Sequence, residues 1–227
     1  ASLADAAVCR GSFHAVLGGE AGEAVFADFS AALQKAQAEG RILTASLFRY
    51  ENHLFFYAEG LNRPFTPQGL CPALDAALLP WPPALGEAAP RPWAAMQPYF
   101  YHDVPTTAAD WQQGRCPQRR RGRIALLPPD SWCSYMEHHL RIVTEGLVEG
   151  DRWHLICVQE GVLFSYLEEP RTNVNIKHQP GAHSPELDAW IAADPESHFA
   201  RFTPEQKAHP DSSHNFVFLP RIAGTED

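Results

Sequence analysis

The chain has 227 residues and a formal net charge of -9. An acidic surface repels phosphate backbones, which argues against general nucleic-acid binding, and no apolar run approaches the ~20 residues of a membrane span. A hydrophobic content of 45% suits one large globular domain or two small ones. The cysteines (Cys9, Cys71, Cys116, Cys133 and Cys157) are scattered and never form a C-x-x-C pair. That spacing suggests neither a zinc site nor a disulfide framework, and a reducing cytoplasm is the simplest context.

In chain order, residues 13–17 read as a short strand and residues 24–40 as a helix, with Val25, Phe29, Leu33 and Ala36 recurring at helical spacing and Gly40 as its stop. Residues 42–50 and 53–58 predict a hairpin around Glu51-Asn52. A helical stretch over residues 70–79 follows, broken by a run of prolines, and residues 99–101 predict the closing strand of a first β-α-β-β-α-β unit. Residues 105–122 are polar and aperiodic and read as a linker, and the basic run Arg115 to Arg123 as its solvated end. The order then repeats: a strand at 123–127, a helix at 132–146, a hairpin around Glu160-Gly161, a long loop, a helix from Pro185 to about Phe202, and a last strand at 215–219.

The two halves also match in motif. Leu54-Phe55-Phe56-Tyr57-Ala58-Glu59 and Leu163-Phe164-Ser165-Tyr166-Leu167-Glu168 both read Leu-Phe-x-Tyr-x-Glu, each closing a hairpin. A repeat at about half the chain length predicts two similar units: an α+β fold of tandem ferredoxin-like repeats forming an intramolecular pseudo-dimeric α/β barrel. The predicted domains are residues 1–104 and 123–227, joined by 105–122. The halves differ in chemistry. Tyr135 and His139 lie one helical turn apart and share a face, with His138 turned about 100° away. An imidazole titrating near neutrality beside a phenol makes an acid–base pair. The same spacing also suits two rings packed at the helix–sheet boundary. The first half offers Phe26 and Phe29 in the corresponding helix and reads as a structural partner. The loop 173–183 carries His178 and His183 but no acid or cysteine to complete a metal site, and reads as a lid.

The second half resembles the L-rhamnose mutarotase family, small proteins that pair ferredoxin-like sheets into a dimeric barrel. The resemblance rests on Tyr135-Met136-Glu137-His138-His139, on Leu163 to Glu168, on Asp194-Pro195-Glu196-Ser197-His198-Phe199-Ala200-Arg201-Phe202, and on Phe216-Val217-Phe218-Leu219-Pro220. It implies a proton-shuttling role for His139 and sugar contact for Tyr135. A second sugar-contact position falls on His154, with Trp153 beside it. Phe199-Ala200 stands where the family has two adjacent tryptophans, leaving Phe199 and the more distant Trp190 to face the ligand.

The reading expected from the sequence is a cytoplasmic, cofactor-free isomerase with a single site, interconverting the anomers of a monosaccharide and existing as a monomer or a homodimer of pseudo-dimers. No metal, nucleic acid or membrane partner is expected. The alternatives are a non-catalytic barrel holding a small apolar or aromatic ligand, and a cofactor-free monooxygenase or haem-handling relative of the same architecture.

Overall fold

The computed structural model describes residues 2–144, 151–171, 185–207 and 209–225. The fold is mixed α and β, with two five-stranded antiparallel sheets. It divides into two compact units that exchange chain. Unit 1 holds residues 1–97, 104–120 and 219–227, and unit 2 holds residues 98–103 and 121–218.

Unit 1 begins with β1 (Val8–Val16), α1 (Glu23–Ala38), β2 (Ile42–Tyr50) and β3 (His53–Leu61). Helix α1 buries Phe26, Phe29, Leu33 and Ala36 along one stripe. Phe26, rather than Val25, leads that stripe. The helix ends where Gly40 takes a positive φ of 68°. There the Arg41 amide reaches back to the Ala36 carbonyl and the Gly40 amide to that of Gln37, satisfying two terminal acceptors. The stripe packs on Ala15, Leu17, Leu54, Phe56 and Ala58. Each fully buried large side chain there contributes roughly 1.5–3 kcal/mol. Helix α2 (Pro72–Ala77) is shorter than the sequence predicts, opening on Pro72 and burying Leu74.

The edges of the sheets depart from expectation. The first sheet runs β10-β2-β3-β1-β4, where β4 is Ala94–Ala95 and β10 is Arg221–Gly224. The segment predicted to close the first unit is instead β5 (Gln97–Tyr101), an edge strand of the second sheet. Its consecutive aromatics, Tyr99, Phe100 and Tyr101, put rings on both faces and suit either sheet, so partner choice is not written in its own sequence. Strand β10 is held by Ala223, buried in the first core, and by the close approach of Gly224 to Ala45, whose carbonyl oxygen would lie 2.7 Å from any Cβ added there.

The predicted linker is structured. It contains α3 (Ala108–Gln112), capped by the Thr107 hydroxyl and burying Trp111, and the start of β6 (Arg119–Leu126). Its basic run is not a solvated tail either. Arg115 is buried against Glu59, and the guanidiniums of Arg121 and Arg123 lie 3.9 Å from the Phe218 ring centre and 4.2 Å from that of Phe216. Residues two apart on a strand share a face, so these arginines line up over phenylalanines that are also two apart.

Unit 2 continues with α4 (Trp132–Thr144), β7 (Leu155–Gln159), β8 (Val162–Glu169), α5 (Pro185–Ala192) and β9 (Val217–Leu219), in the sheet order β5-β7-β8-β6-β9. The β7–β8 hairpin turns through Glu160 and Gly161, both at positive φ, as a tight two-residue turn requires. The helix predicted to reach Phe202 stops at Ala192. Pro195 disfavours helical backbone before it and brings no amide, and a 3-10 turn (Pro195–His198) follows.

The repeated Tyr-x-Glu motif occupies equivalent places in the two units. Tyr57 donates to Glu59 at 2.6 Å, and Tyr166 to Glu168 at 2.6 Å, all four residues being buried. In unit 1 Glu59 also receives both terminal nitrogens of Arg115, at 2.7 and 2.9 Å, and Arg10 Nε donates to the Tyr57 hydroxyl at 3.0 Å. Burial alone would push the Glu59 pKa up, but the Arg115 charge and the hydrogen bonds from Arg115 and Tyr57 outweigh it and hold it below the usual value. The stabilisation is therefore present above the unfolded carboxylate pKa and is lost as pH falls through the lower folded one. Arg115→Ala, which strands the buried carboxylate, is expected to destabilise the chain by about 3–5 kcal/mol in urea unfolding at neutral pH. The double change Glu59→Met with Arg115→Leu should cost clearly less. Equal losses would show that the pair is not what the buried charge requires.

Candidate functional site

Of the residues singled out by the sequence, Tyr135 and Phe199 pack against strands of the second sheet, and His139 adjoins Tyr135. Tyr135 belongs to a core cluster with Ala125, Leu127, Ile156, Val158, Leu163 and Phe199. It is 3% exposed, with its ring centre 4.1 Å from that of His139 and 5.0 Å, edge-on, from that of Phe199. Three expected residues, Tyr135, His139 and Phe199, therefore do meet. His139 keeps partial contact with solvent. His138 is half-buried, its ring 6.2 Å from that of His198.

His154 is buried in the turn leading into β7, its backbone amide bonded to the Asp151 carbonyl. It meets the cluster indirectly: Phe100 lies 5.7 Å from His139 and 6.4 Å from His154. Trp153 is half-buried in the same turn. Trp190 belongs to α5, and its side chain, like the whole 173–183 loop, lies outside the described residues. Among the described residues no group of three His, Cys, Asp or Glu is placed to hold a metal ion.

Strand β5 completes the cluster. Tyr99 packs 5.8 Å from Tyr135 and 5.9 Å from His139, and His102 stacks 6.1 Å from His154. Burial holds the His102 pKa below its ordinary value, against the pull of Asp151. The sequence shows these aromatics but not the sheet they join. It hides Arg123 as well, because the charge density of the 115–123 run masks its period of two. Arg123 shares a strand face with Ala125 and Leu127, which pack with Tyr135.

His139 is the chemical centre of the cluster. Its Nδ1 stands 3.0 Å from the Tyr135 carbonyl oxygen. A carbonyl only accepts, so Nδ1 carries the proton and the neutral ring offers Nε2 as an acceptor. Burial, chiefly, pushes the His139 pKa down to about 4. The backbone bond to Tyr135 opposes the shift, and His138 and His198 add to it. Burial likewise raises the Tyr135 and Tyr99 phenols far above their usual range, so both stay protonated. Among the described residues neither the Tyr99 hydroxyl nor Arg123 Nε, both buried, finds a hydrogen-bond partner. The arrangement is a neutral base, a protonated phenol and a guanidinium among aromatic rings, and it can accept a proton from a bound molecule while stabilising the anion that remains.

No family model and no curated protein matches the chain. Two solved structures do. One, described as a putative monooxygenase from Lactobacillus acidophilus, is 7% identical, covers 96% of this chain and 96% of its own, and has a TM-score of 0.40. The other, a putative monooxygenase from Fusobacterium nucleatum, is 8% identical, with coverage of 97% and 94% and a TM-score of 0.40. The expectation of an anomer-interconverting sugar enzyme finds no support among these matches and is corrected by the site. A sugar carries many hydroxyls that need partners, whereas this cluster is walled by apolar rings and its imidazole is neutral well below neutral pH. Among the described residues no helix is long and apolar enough to cross a membrane.

The unfolded chain protonates His139 more readily than the folded one. Stability is therefore expected to fall as pH drops from about 6.5 to about 4, by at most about 3 kcal/mol given the ring's partial exposure, with no contribution from this group above that window. His139→Asn should flatten the difference between urea unfolding at about pH 7 and about pH 4.5. A His139 ring titrating near 6.5 by NMR would overturn the assignment.

Proposed function

We propose that unit 2 binds a small, planar hydroxyaromatic molecule and that the chain oxygenates it with dioxygen, the ligand itself serving as reductant. The observation that carries this reading is the neutral His139, fixed by its Nδ1 bond with Nε2 left as an acceptor, inside a cluster of Tyr99, Phe100, Tyr135 and Phe199. Aromatic walls favour a flat apolar ligand, since ring–ring packing adds about 0.5–1.5 kcal/mol per pair beyond burial.

In the proposed reaction Nε2 takes a proton from the ligand's phenolic hydroxyl, and the charge spreads to an ortho or para ring carbon that bears hydrogen. The resulting anion gives an electron pair to dioxygen and forms a carbon–oxygen bond. The peroxide receives the proton back from His139, and loss of water leaves a ketone. One oxygen atom enters the product and the other leaves as water. Tyr99 and Arg123 supply hydrogen bonds to the developing oxyanion, as preorganised donors do in water-poor sites.

The tandem motif and the strand orders β4-β1-β3-β2 and β9-β6-β8-β7 support a pair of ferredoxin-like modules as the frame. The first would be structural, since the site residues all lie in the second.

Oxygen uptake with a panel of hydroxylated naphthalenes and tricyclic ketones tests the reading. A substrate is expected to consume dioxygen faster than buffer alone. The rate should drop by ~10²–10⁴-fold in His139→Ala, as for loss of a general base. The acid limb of the rate should lie near pH 4 rather than near 6.5, because protonation of Nε2 abolishes the base. Uptake equal to buffer across the panel, together with no thermal stabilisation by any member, would defeat the proposal.

A further inference from the structure

Among the described residues Arg123 makes no ion pair and its side chain makes no hydrogen bond. Its guanidinium lies beside the Phe216 ring, 4.2 Å from the ring centre, and Phe216 in turn packs edge-on at 5.0 Å against Phe199. Phe199 touches Tyr135, which touches His139. Arg123 thus stands at one end of a continuous run of rings whose other end is the base.

Neighbouring cations are answered differently. Arg121 donates to Glu169 and Asp211 at 3.0 and 2.8 Å, and Arg171 to Asp151 at 2.8 Å. Arg123 makes no ion pair among the described residues, and its buried Nε has no hydrogen-bond partner. The nearby carboxylate, Glu196, is engaged by the Asn215 amide. Burial, chiefly, and the like charge of Arg171 push the Arg123 pKa down to about 10, against the pull of Tyr135 and Glu196, so it remains charged at neutral pH. Arg123 is half-buried, and a charge held partly out of water without an ion-pair partner is costly, so proteins normally supply a counter-ion. Stacking on an aromatic face is worth only about 0.5–2 kcal/mol and leaves the in-plane donors unused.

Resting on the reading of unit 2 as a hydroxyaromatic site, we infer that Arg123 selects ligands carrying a carboxylate, which it pairs in the plane of its guanidinium while the ligand ring lies toward Phe199 and His139. The substrate class is thereby narrowed from hydroxyaromatics in general to hydroxyaromatic acids. Arg123 becomes the residue that sets specificity and holds the ring in place for the base.

The test compares a hydroxynaphthoic acid with the corresponding naphthol, by calorimetry on the full chain, in wild type, Arg123→Met and Arg123→Lys. In wild type the acid should bind about 10- to 100-fold more tightly than the naphthol, as for a charge-assisted pair. Arg123→Met keeps an apolar stem over Phe216 and should abolish that preference, lowering acid affinity far more than naphthol affinity. Arg123→Lys should retain only part of it, because an ammonium cannot pair a carboxylate through two parallel donors. If Arg123→Met does not fold, the wild-type ratio and the lysine variant still decide. Equal binding of acid and naphthol by wild type, or an undiminished preference in Arg123→Met or Arg123→Lys, would overturn the inference while leaving the hydroxyaromatic site standing. Binding of neither compound would overturn both.

Discussion

Each sheet turns on a carboxylate hidden at the end of its third strand. Glu59 and Glu168 are buried acids held by a tyrosine two residues upstream on the same face, at identical 2.6 Å separations. An acid in that position is tolerable only if every lone pair is answered. In unit 1 the answer comes from Arg115, which lies beyond β5 in sequence and has to return to the first sheet. The requirement to pair Glu59 thus organises the 104–120 segment: the Thr107-capped helix α3, the buried Trp111, and the approach to β6. A stretch that reads as spacer is drawn into the fold by one charge.

The second unit uses its helix–sheet boundary differently from the first. In unit 1 the corresponding space is filled by Phe26, Phe29 and Phe56, a closed apolar core. In unit 2 it holds an imidazole, two phenols and a guanidinium. The backbone carbonyl of Tyr135 decides what that imidazole is, because it claims Nδ1 and burial removes the second proton. A histidine so placed is a base at every physiological pH, not a titrating switch.

Much of this was legible in the sequence where the signal is local. Helix α1, its glycine stop, both hairpins and the doubled Tyr-x-Glu motif follow from periodicity and turn chemistry within a dozen residues. The Tyr135–His139 neighbourhood follows from a single helical turn. What escaped is non-local. Strand β5 carries the same run of aromatics whichever sheet it joins. Arg121 and Arg123 find Phe218 and Phe216 almost a hundred positions away. Whether an imidazole is neutral depends on burial that no spacing reveals. Asp194-Pro195 is an informative exception: the proline before the presumed end of the last helix is visible in the sequence and is enough to stop it.

The passage of residues 219–225 into the first sheet sets an order of events at the ribosome. Strand β2 cannot acquire its β10 neighbour until the whole of unit 2 has been translated. During that interval an aromatic-rich sheet has a bare edge, the kind of surface that recruits foreign strands. Cutting the chain between the apparent halves would make the condition permanent, so a separately expressed amino-terminal half is a poor candidate for a soluble protein.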